Sequence, residues 1–538
     1  MTASLVSTSV TLALNPPPLD MPIRRPIPLP SALPTPAGVE RVEVAGRAVY
    51  FIGIGGCGMS GLARMLRTRG AQVSGSDSSP QESTAALMGE GIEIGFDQTR
   101  GWLPDVCDLV VYSAAVKPEH PQLVEARRRG VATMAYAQAL GRSMLGSTGI
   151  AIAGTHGKSS TTAMLGTALT DAGIDPTVIV GATSRQLLKG SIGTASKRSG
   201  LVEEGTGFRL GAAKVATGPM AGRPGVLVAE ACEFNRSFHH FYPTIASISS
   251  VEADHLDMYK SIDEIIESFR HFASLLPPEN LGGRLLIAHE GAHRKEVTAG
   301  LKCLVETIGF TPAADWVIAF DTPARRVTLS HDRGEVASWT MRIPGEHMAF
   351  NAAVAVALGT MVGADAKVLA ASLCEFRGID RRMQFLGERQ VAGGAVRVYD
   401  DYGHHPTEID VTLRALRGYE RPEDKGGRLV CVFQPHQHSR TRHLMEEFAQ
   451  SFSSADIVIV PDIYFVRDSE EERQKVTAQD LVDRLTARGV NAMQLSPFSA
   501  IVEKLQELCV AGDLVVTMGA GPVFEVARGY LAGGIRRG

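Results

Sequence analysis

The sequence predicts an α/β protein of three consecutive nucleotide-fold blocks: a Rossmann-like N-terminal block, a central block opening on a P-loop-type turn, and a Rossmann-like C-terminal block. Three observations carry this. Apolar strand-like runs alternate with helical periodicity from Arg47 almost to the C-terminus. Two of those runs end in glycine turns that lead into helices, at Gly53 to Gly61 and at Gly154 to Gly157. The length, 538 residues, suits about three ordinary domains.

Residues 1–47 hold nine of the 28 prolines, a composition that forms neither helix nor sheet ladders, so a disordered extension is expected there. The N-terminal block, 48–147, begins with the strand VYFIGIG (49–55). A helix at MSGLARMLRTRG, strands at AQVSGSD and DLVVYSAAV (108–116), and a helix ending near Arg129 follow. The central block, 148–378, opens with the strand of IAIAGTHGKSSTT. It continues through VLVAE (226–230) and TIASISSVEADH (244–255), read as one strand ending at His255, to an amphipathic helix at EIIESFRHFASLL. Residues 185–222 are rich in Gly, Ser and Thr without clear periodicity and read as a surface insertion. The C-terminal block, 379–538, has strands at RLVCVFQP, ADIVIVPDIY and DLVVTMGAG.

Composition narrows the function classes. A net charge of −4 creates no field for nucleic acid or an acidic membrane surface, so neither partner is expected. Seven dispersed cysteines without a CxxC pair suit a reducing cytoplasm rather than a disulfide or zinc scaffold. No apolar run approaches the ~20 residues of a membrane helix.

The GTHGKSS turn carries the most chemistry. Gly154 and Gly157 let the backbone approach an anion, Lys158 offers a point charge to outer phosphates, and the Ser159 hydroxyl suits Mg²⁺. Its glycines enclose only Thr155 and His156, whereas the usual P-loop spaces them by about four residues. GIGGCGMSG satisfies GxGxxG between a strand and a helix, with Asp77 at the end of the next strand, where a ribose-binding acid belongs. A pyrophosphate at that helix N-terminus belongs equally to NAD or to a UDP-sugar, and tight helix–strand packing is the plainer alternative. Glu230 and His255 at strand ends could join Ser159 around Mg²⁺, with His the unusual ligand, and Asp254 is a second ligand or a helix cap. DDYGHHPTE (400–408) and FQPHQHSRTR (433–442) end adjacent strands, and Arg440 and Arg442 there suit a carboxylate or phosphate. His347 and Asn351, in IPGEHMAFNAAVAV, contact a base or cap their helix.

In order along the chain, GIGGCGMSG, SGSD, GTHGKSSTT, EACE, VEADH, PGEHMAFNAA, DRRMQFLG, DDYGHHPTE, FQPHQHSRTR and MGAG resemble the Mur ligases over about residues 48–530. The short glycine spacing of the turn is itself a trait of that family. The resemblance implies three domains, for UDP-sugar, ATP and amino acid in turn. It also implies an ATP-dependent amide ligase of peptidoglycan precursor synthesis. Its partners would be ATP with Mg²⁺, UDP-N-acetylmuramate and L-alanine, in a cytoplasmic monomer or homodimer. The lactyl carboxylate would attack the γ-phosphorus to give an acyl phosphate, which the amine of alanine then displaces.

Carried over by position, the resemblance implies that Gly154, Thr155, His156, Gly157, Lys158, Ser159 and Ser160 hold ATP, with Asn351 and Arg382 close by and Asp401 reaching the nucleotide from the next domain. Ser159, Glu230 and His255 would hold the metal. Gly55, Gly58, Ser60, Asp77 and Ser113 would contact the UDP-sugar, and Tyr402, His404 and Arg440 the amino acid, with His404 a candidate base. The family's Glu-Ala-Asp-Glu-Ser-Asp run is here EACEFN, and Gln437 stands where some members have Arg. Three rivals remain in view: a Mur-type ligase recycling a preformed peptide, an NAD-dependent dehydrogenase using GxGxxG and Asp77, and a non-catalytic nucleotide sensor.

Overall fold

A computed structural model describes residues 38–188, 205–256 and 258–533. Residues 1–37, most of the proline-rich extension, lie outside the described residues, as do 189–204 of the expected insertion.

The N-terminal sheet is wholly parallel, in the order Glu93–Gly95, Gln72–Ser76, Ala48–Ile52, Leu109–Tyr112, Ala132–Ala135. Strand order therefore reverses between Ala48–Ile52 and Leu109–Tyr112, the crevice where such sheets bind ligands. Gly53 turns out of the first strand at φ +80° with Ser113 of the neighbouring strand end against it.

The ten-stranded central sheet places Thr148–Ala153 between Ile245–Ile248 and Val226–Glu230. The strand's two-residue period decides which core each side chain joins. Ile150 and Ile152 enter a core that continues into the C-terminal block through Ile409 and Phe433. Ala151 and Ala153 face one shared with Phe51 and Leu62 of the N-terminal block. The helices Lys158–Asp171 and Glu346–Met361 are buried around most of their circumference; the second is accordingly apolar on nearly all sides, and the first is lined with small Ser, Thr, Gly and Ala side chains.

Several readings are corrected here. The segment 244–255 is not one strand: the ladder stops at Ile248, and His255 sits in the loop beyond with φ +54°. Residues 185–222 are not simply a surface insertion at their described ends. Thr206–Arg209 pairs antiparallel with Thr177–Ser184 as the sheet's edge strand, and Phe208 is buried against Gly61 of the N-terminal block. Beyond the parallel strands, Trp316–Asp321, Arg326–His331 and Gly334–Thr340 form an antiparallel meander that the sequence reading did not resolve.

The C-terminal sheet runs Gln384–Val391, Gly394–Asp401, Leu514–Met518, Leu429–Phe433, Ile457–Val460, Asn491–Gln494. It is parallel except for its first hairpin. The expected α/β architecture of three successive sheets is thus present. Among the described residues no helix is long and apolar enough to cross a membrane.

Candidate active site

The buried strand Thr148–Ala153 delivers the chain into a turn that needs two glycines in left-handed or extended positive-φ geometry, Gly154 at φ +128° and Gly157 at +81°. A Cβ at Gly154 would collide with Ser249, and one at Gly157 with the amide of Asn351. The helix Lys158–Asp171 then starts without a side-chain cap, which leaves its first N–H groups for an anion. Thr155 is tied down elsewhere: its hydroxyl accepts from Glu252 N at 2.9 Å.

Lys158 lies back along this turn. Its Nζ donates to Gly154 O (2.6 Å) and Thr155 O (2.9 Å) and pairs with Glu233 at 2.9 Å. Burial works against its charge, but Glu233 outweighs that and raises its pKa, so it stays protonated. The Ser159 hydroxyl is 3.1 and 3.0 Å from the two oxygens of Glu230, whose Oε2 also accepts from Gly181 N at 2.8 Å. A hydroxyl beside a carboxylate is a hard oxygen pair of the kind Mg²⁺ takes. In the altered acidic run, burial pushes the Cys232 thiol up to about 12, so it adds no charge. His255 adjoins Glu233 (3.9 Å) and Asp254 (3.8 Å) and packs edge-on to Phe234.

A cleft of about 1420 Å³ opens between the central and C-terminal blocks, lined by Gly157, Ser159, Ser160 and Asn351 of the former and Arg382 and Asp401 of the latter. It is ample for a nucleotide. Arg382 pairs with Glu408 at 3.2 Å. Burial lifts the Asp401 carboxyl to about 6 against the pull of Arg382. Its oxygens accept from Met383 N (2.7 Å) and Gly403 N (2.6 Å).

His156 links the turn to the C-terminal block. Its Nε2 is 3.3 Å from Glu252 and its Nδ1 3.4 Å from Glu408. Burial opposes its protonation, yet these two carboxylates prevail and push its pKa up to about 9. Thr407 adds a second tie to Glu252, at 2.7 Å.

At the far end of the interface Arg440 is not free. Its Nε and Nη2 both donate to Asp254 Oδ1, at 3.0 and 2.7 Å, and both side chains are buried. Burial alone would raise the Asp254 carboxyl, but Arg440 holds it far below the usual range. This corrects the reading of Asp254 as metal ligand or cap and that of Arg440 as an open carboxylate receptor. Their pairing joins the two blocks. His404 lines the same corner beside Tyr402, its Nδ1 3.1 Å from Tyr402 O. Burial and Arg440 lower its pKa to about 3, which works against its taking a proton from an amine.

In the N-terminal block Asp77 is buried, accepting from Gly55 N (2.8 Å) and Ser78 N (2.8 Å), so it shapes the glycine loop instead of presenting a free acid to a ribose. Ser60, also buried, donates to Cys57 O at 2.9 Å. The structure adds Tyr136, whose hydroxyl a Cβ at Gly58 would strike and whose pKa is raised by burial and then by Glu230. Cys57 of the same loop donates to Val180 O at 3.3 Å, next to Gly181, whose N–H donates to Glu230, so the glycine loop adjoins the Ser159–Glu230 pair. Glu252, Glu408 and Tyr136 are site residues that motif spacing did not assign. Only Glu408 carries a local signal, as the capping-box acid after His405.

Comparison with known proteins places the chain in a family. Family profiles match 48–148 ("Mur ligase family, catalytic domain"), 152–359 ("Mur ligase middle domain") and 381–521 ("Mur ligase, glutamate ligase domain"). The chain belongs to the Mur ligase family. It is 37% identical to the UDP-N-acetylmuramate–L-alanine ligase of Agathobacter rectalis over 488 residues, 90% of this chain and 97% of that protein. Against the enzyme of the same name from Caldanaerobacter subterraneus subsp. tengcongensis it is 36% identical over 490 residues, with 90% and 97% covered. Its fold resembles the crystal structure of the UDP-N-acetylmuramate–alanine ligase of Thermotoga maritima (TM-score 0.68, 23% identity, covering 90% of this chain and 98% of that one). It also resembles a murein peptide ligase from Psychrobacter arcticus (TM-score 0.63, 25% identity, 90% and 98% covered).

Proposed function

We propose that this chain is an ATP-dependent ligase that joins L-alanine to the lactyl carboxylate of UDP-N-acetylmuramate through an acyl phosphate, in peptidoglycan precursor synthesis. The observation that carries the reading is the position of Lys158, Ser159 and Glu230. Ser159 lines the nucleotide-sized cleft, Glu230 and Glu233 bond to Ser159 and Lys158 beside it, and Gly181, whose N–H donates to Glu230, follows Val180, whose carbonyl accepts from Cys57 Sγ of the N-terminal glycine loop. A dehydrogenase has no use for that cleft, and the two alanine ligases from Agathobacter and Caldanaerobacter are 37% and 36% identical over 90% of this chain.

In this reading 48–147 takes the UDP-sugar, 148–378 ATP and 379–538 the amino acid. The obstacle is electrostatic: two unit charges ~4 Å apart repel by about 4 kcal/mol at an effective dielectric of 20. Lys158, kept charged by Glu233, offsets this as the sugar's carboxylate nears the γ-phosphate, once ATP draws its Nζ off the carbonyls of Gly154 and Thr155. Ser159 and Glu230 would hold Mg²⁺, which when bound neutralises phosphate charge. Asn351 beside the turn and Arg382 from the C-terminal block line the same cleft, and closure of that block keeps water from the acyl phosphate. With His404 unsuited, the amine's proton passes to solvent or to a phosphate oxygen.

Phosphate release measured with UDP-N-acetylmuramate and ATP tests the reading against alanine, serine, glycine and the tripeptide of the recycling reaction. Release driven best by alanine is expected. Release driven only by the tripeptide, or independent of any amine, refutes it.

A further inference from the structure

Three arginines follow the ends of the C-terminal strands Leu429–Phe433 and Ile457–Val460, and two are already matched to acids: Arg440 to Asp254 and Arg442 to Glu472. The third, Arg467, makes no ion pair among the described residues. It lies in the loop after Ile457–Val460, at φ +61°. Its guanidinium sits 4.8 Å from the ring centre of Phe234, in the central block, and its Nη2 is 3.4 Å from Gln437 Oε1. Asp468, next in sequence, clamps this loop to the helix His438–His443, accepting from His438 N (2.5 Å) and Ser439 Oγ (2.6 Å). The uncompensated cation is thereby fixed beside the corner of His436 and Arg440.

We propose that Arg467 receives the carboxylate of the incoming amino acid, with the Phe234 ring as the apolar wall beside it. The proposal rests on the ligase reading above. A carboxylate needs an unneutralised donor fork, and Arg440 is neutralised by Asp254 while Gln437 carries no charge. Phe234 stands in EACEFN where the family run has Ser, so ring area replaces a hydroxyl beside that guanidinium. A bulky aromatic wall suits a methyl side chain.

The test is steady-state phosphate release by the full chain, with L-alanine and with L-alaninamide, which has the amine but no carboxylate. Arg467→Ala is expected to raise the KM for alanine at least tenfold. The KM values for ATP and UDP-N-acetylmuramate should stay within twofold, kcat/KM for alaninamide should be unchanged, and Arg467→Lys should recover part of the loss. Because Arg467 is exposed, neither substitution empties a core. An unchanged KM for alanine, or equal losses with alanine and alaninamide, overturns the proposal while leaving the ligase reading intact. A wild-type chain that releases no phosphate with any amine overturns both.

Discussion

Replacing Asp254 by Asn removes one charge from the pair that joins the central and C-terminal blocks and changes side-chain volume very little. Arg440 would remain buried with its Nε and Nη2 aimed at a neutral amide in place of a carboxylate. Stranding one member of a buried ion pair costs about 3–5 kcal/mol. Here the interface can relieve that cost by opening, which rehydrates the guanidinium, so the penalty falls on the closed state before it falls on the folded state. At about 1.4 kcal/mol per decade, even the lower figure moves the closed population by roughly a hundredfold. Small-angle scattering should show a larger radius of gyration for Asp254→Asn, and hydrogen exchange should rise around residues 251–256 and 436–442. Turnover should fall, because the acyl phosphate is then exposed to water. The double variant Asp254→Asn with Arg440→Met leaves no charge stranded, and should close more nearly as the parent does. If Asp254→Asn scatters as the wild type does, or if the double variant shows the plain sum of the two single effects, the pair does not hold the interface.

Lys158→Ala should reduce phosphate release by roughly 10³-fold, with UDP-N-acetylmuramate affinity by calorimetry unchanged; an active variant contradicts the role given to the turn. Gly58→Ala drives a Cβ into the Tyr136 hydroxyl, a strain of about 1–3 kcal/mol, and should weaken UDP-sugar binding about tenfold while sparing ATP. Equal loss of both ligands would mean misfolding instead. His156 is shifted from 6.5 up to about 9, so its stabilisation of the interface is complete below pH 6.5 and is lost as pH rises through about 9. The melting-temperature gap between wild type and His156→Gln should therefore shrink from pH 7 to pH 10, and a gap independent of pH refutes the assignment.

What the sequence made legible was local and periodic. IAIA and VLVAE are buried on both faces, so they read as continuous apolar runs, and the glycine turn after the first carries its own chemistry in adjacent positions. The meander from Trp316 to Thr340 was missed because its faces alternate, Trp316 and Ile318 inward with Ala319 and Asp321 outward, without a turn signal strong enough to frame three strands. Residues 206–209, inside the expected insertion 185–222, carry no strand signal because pairing at a sheet edge needs only four residues and little hydrophobicity. The site divides in the same way. Lys158, Ser159 and Glu230 could be assigned from strand ends and spacing, but no spacing encodes that Arg440 meets Asp254 from 186 positions away, or that Thr407 meets Glu252 from 155. Those pairings decide roles. An arginine at a strand end is a ligand receptor or a structural tie according to whether an acid faces it across the interface. Arg440 has such an acid and Arg467 has none among the described residues, so the residue with the weaker motif is the one left able to take a substrate's charge.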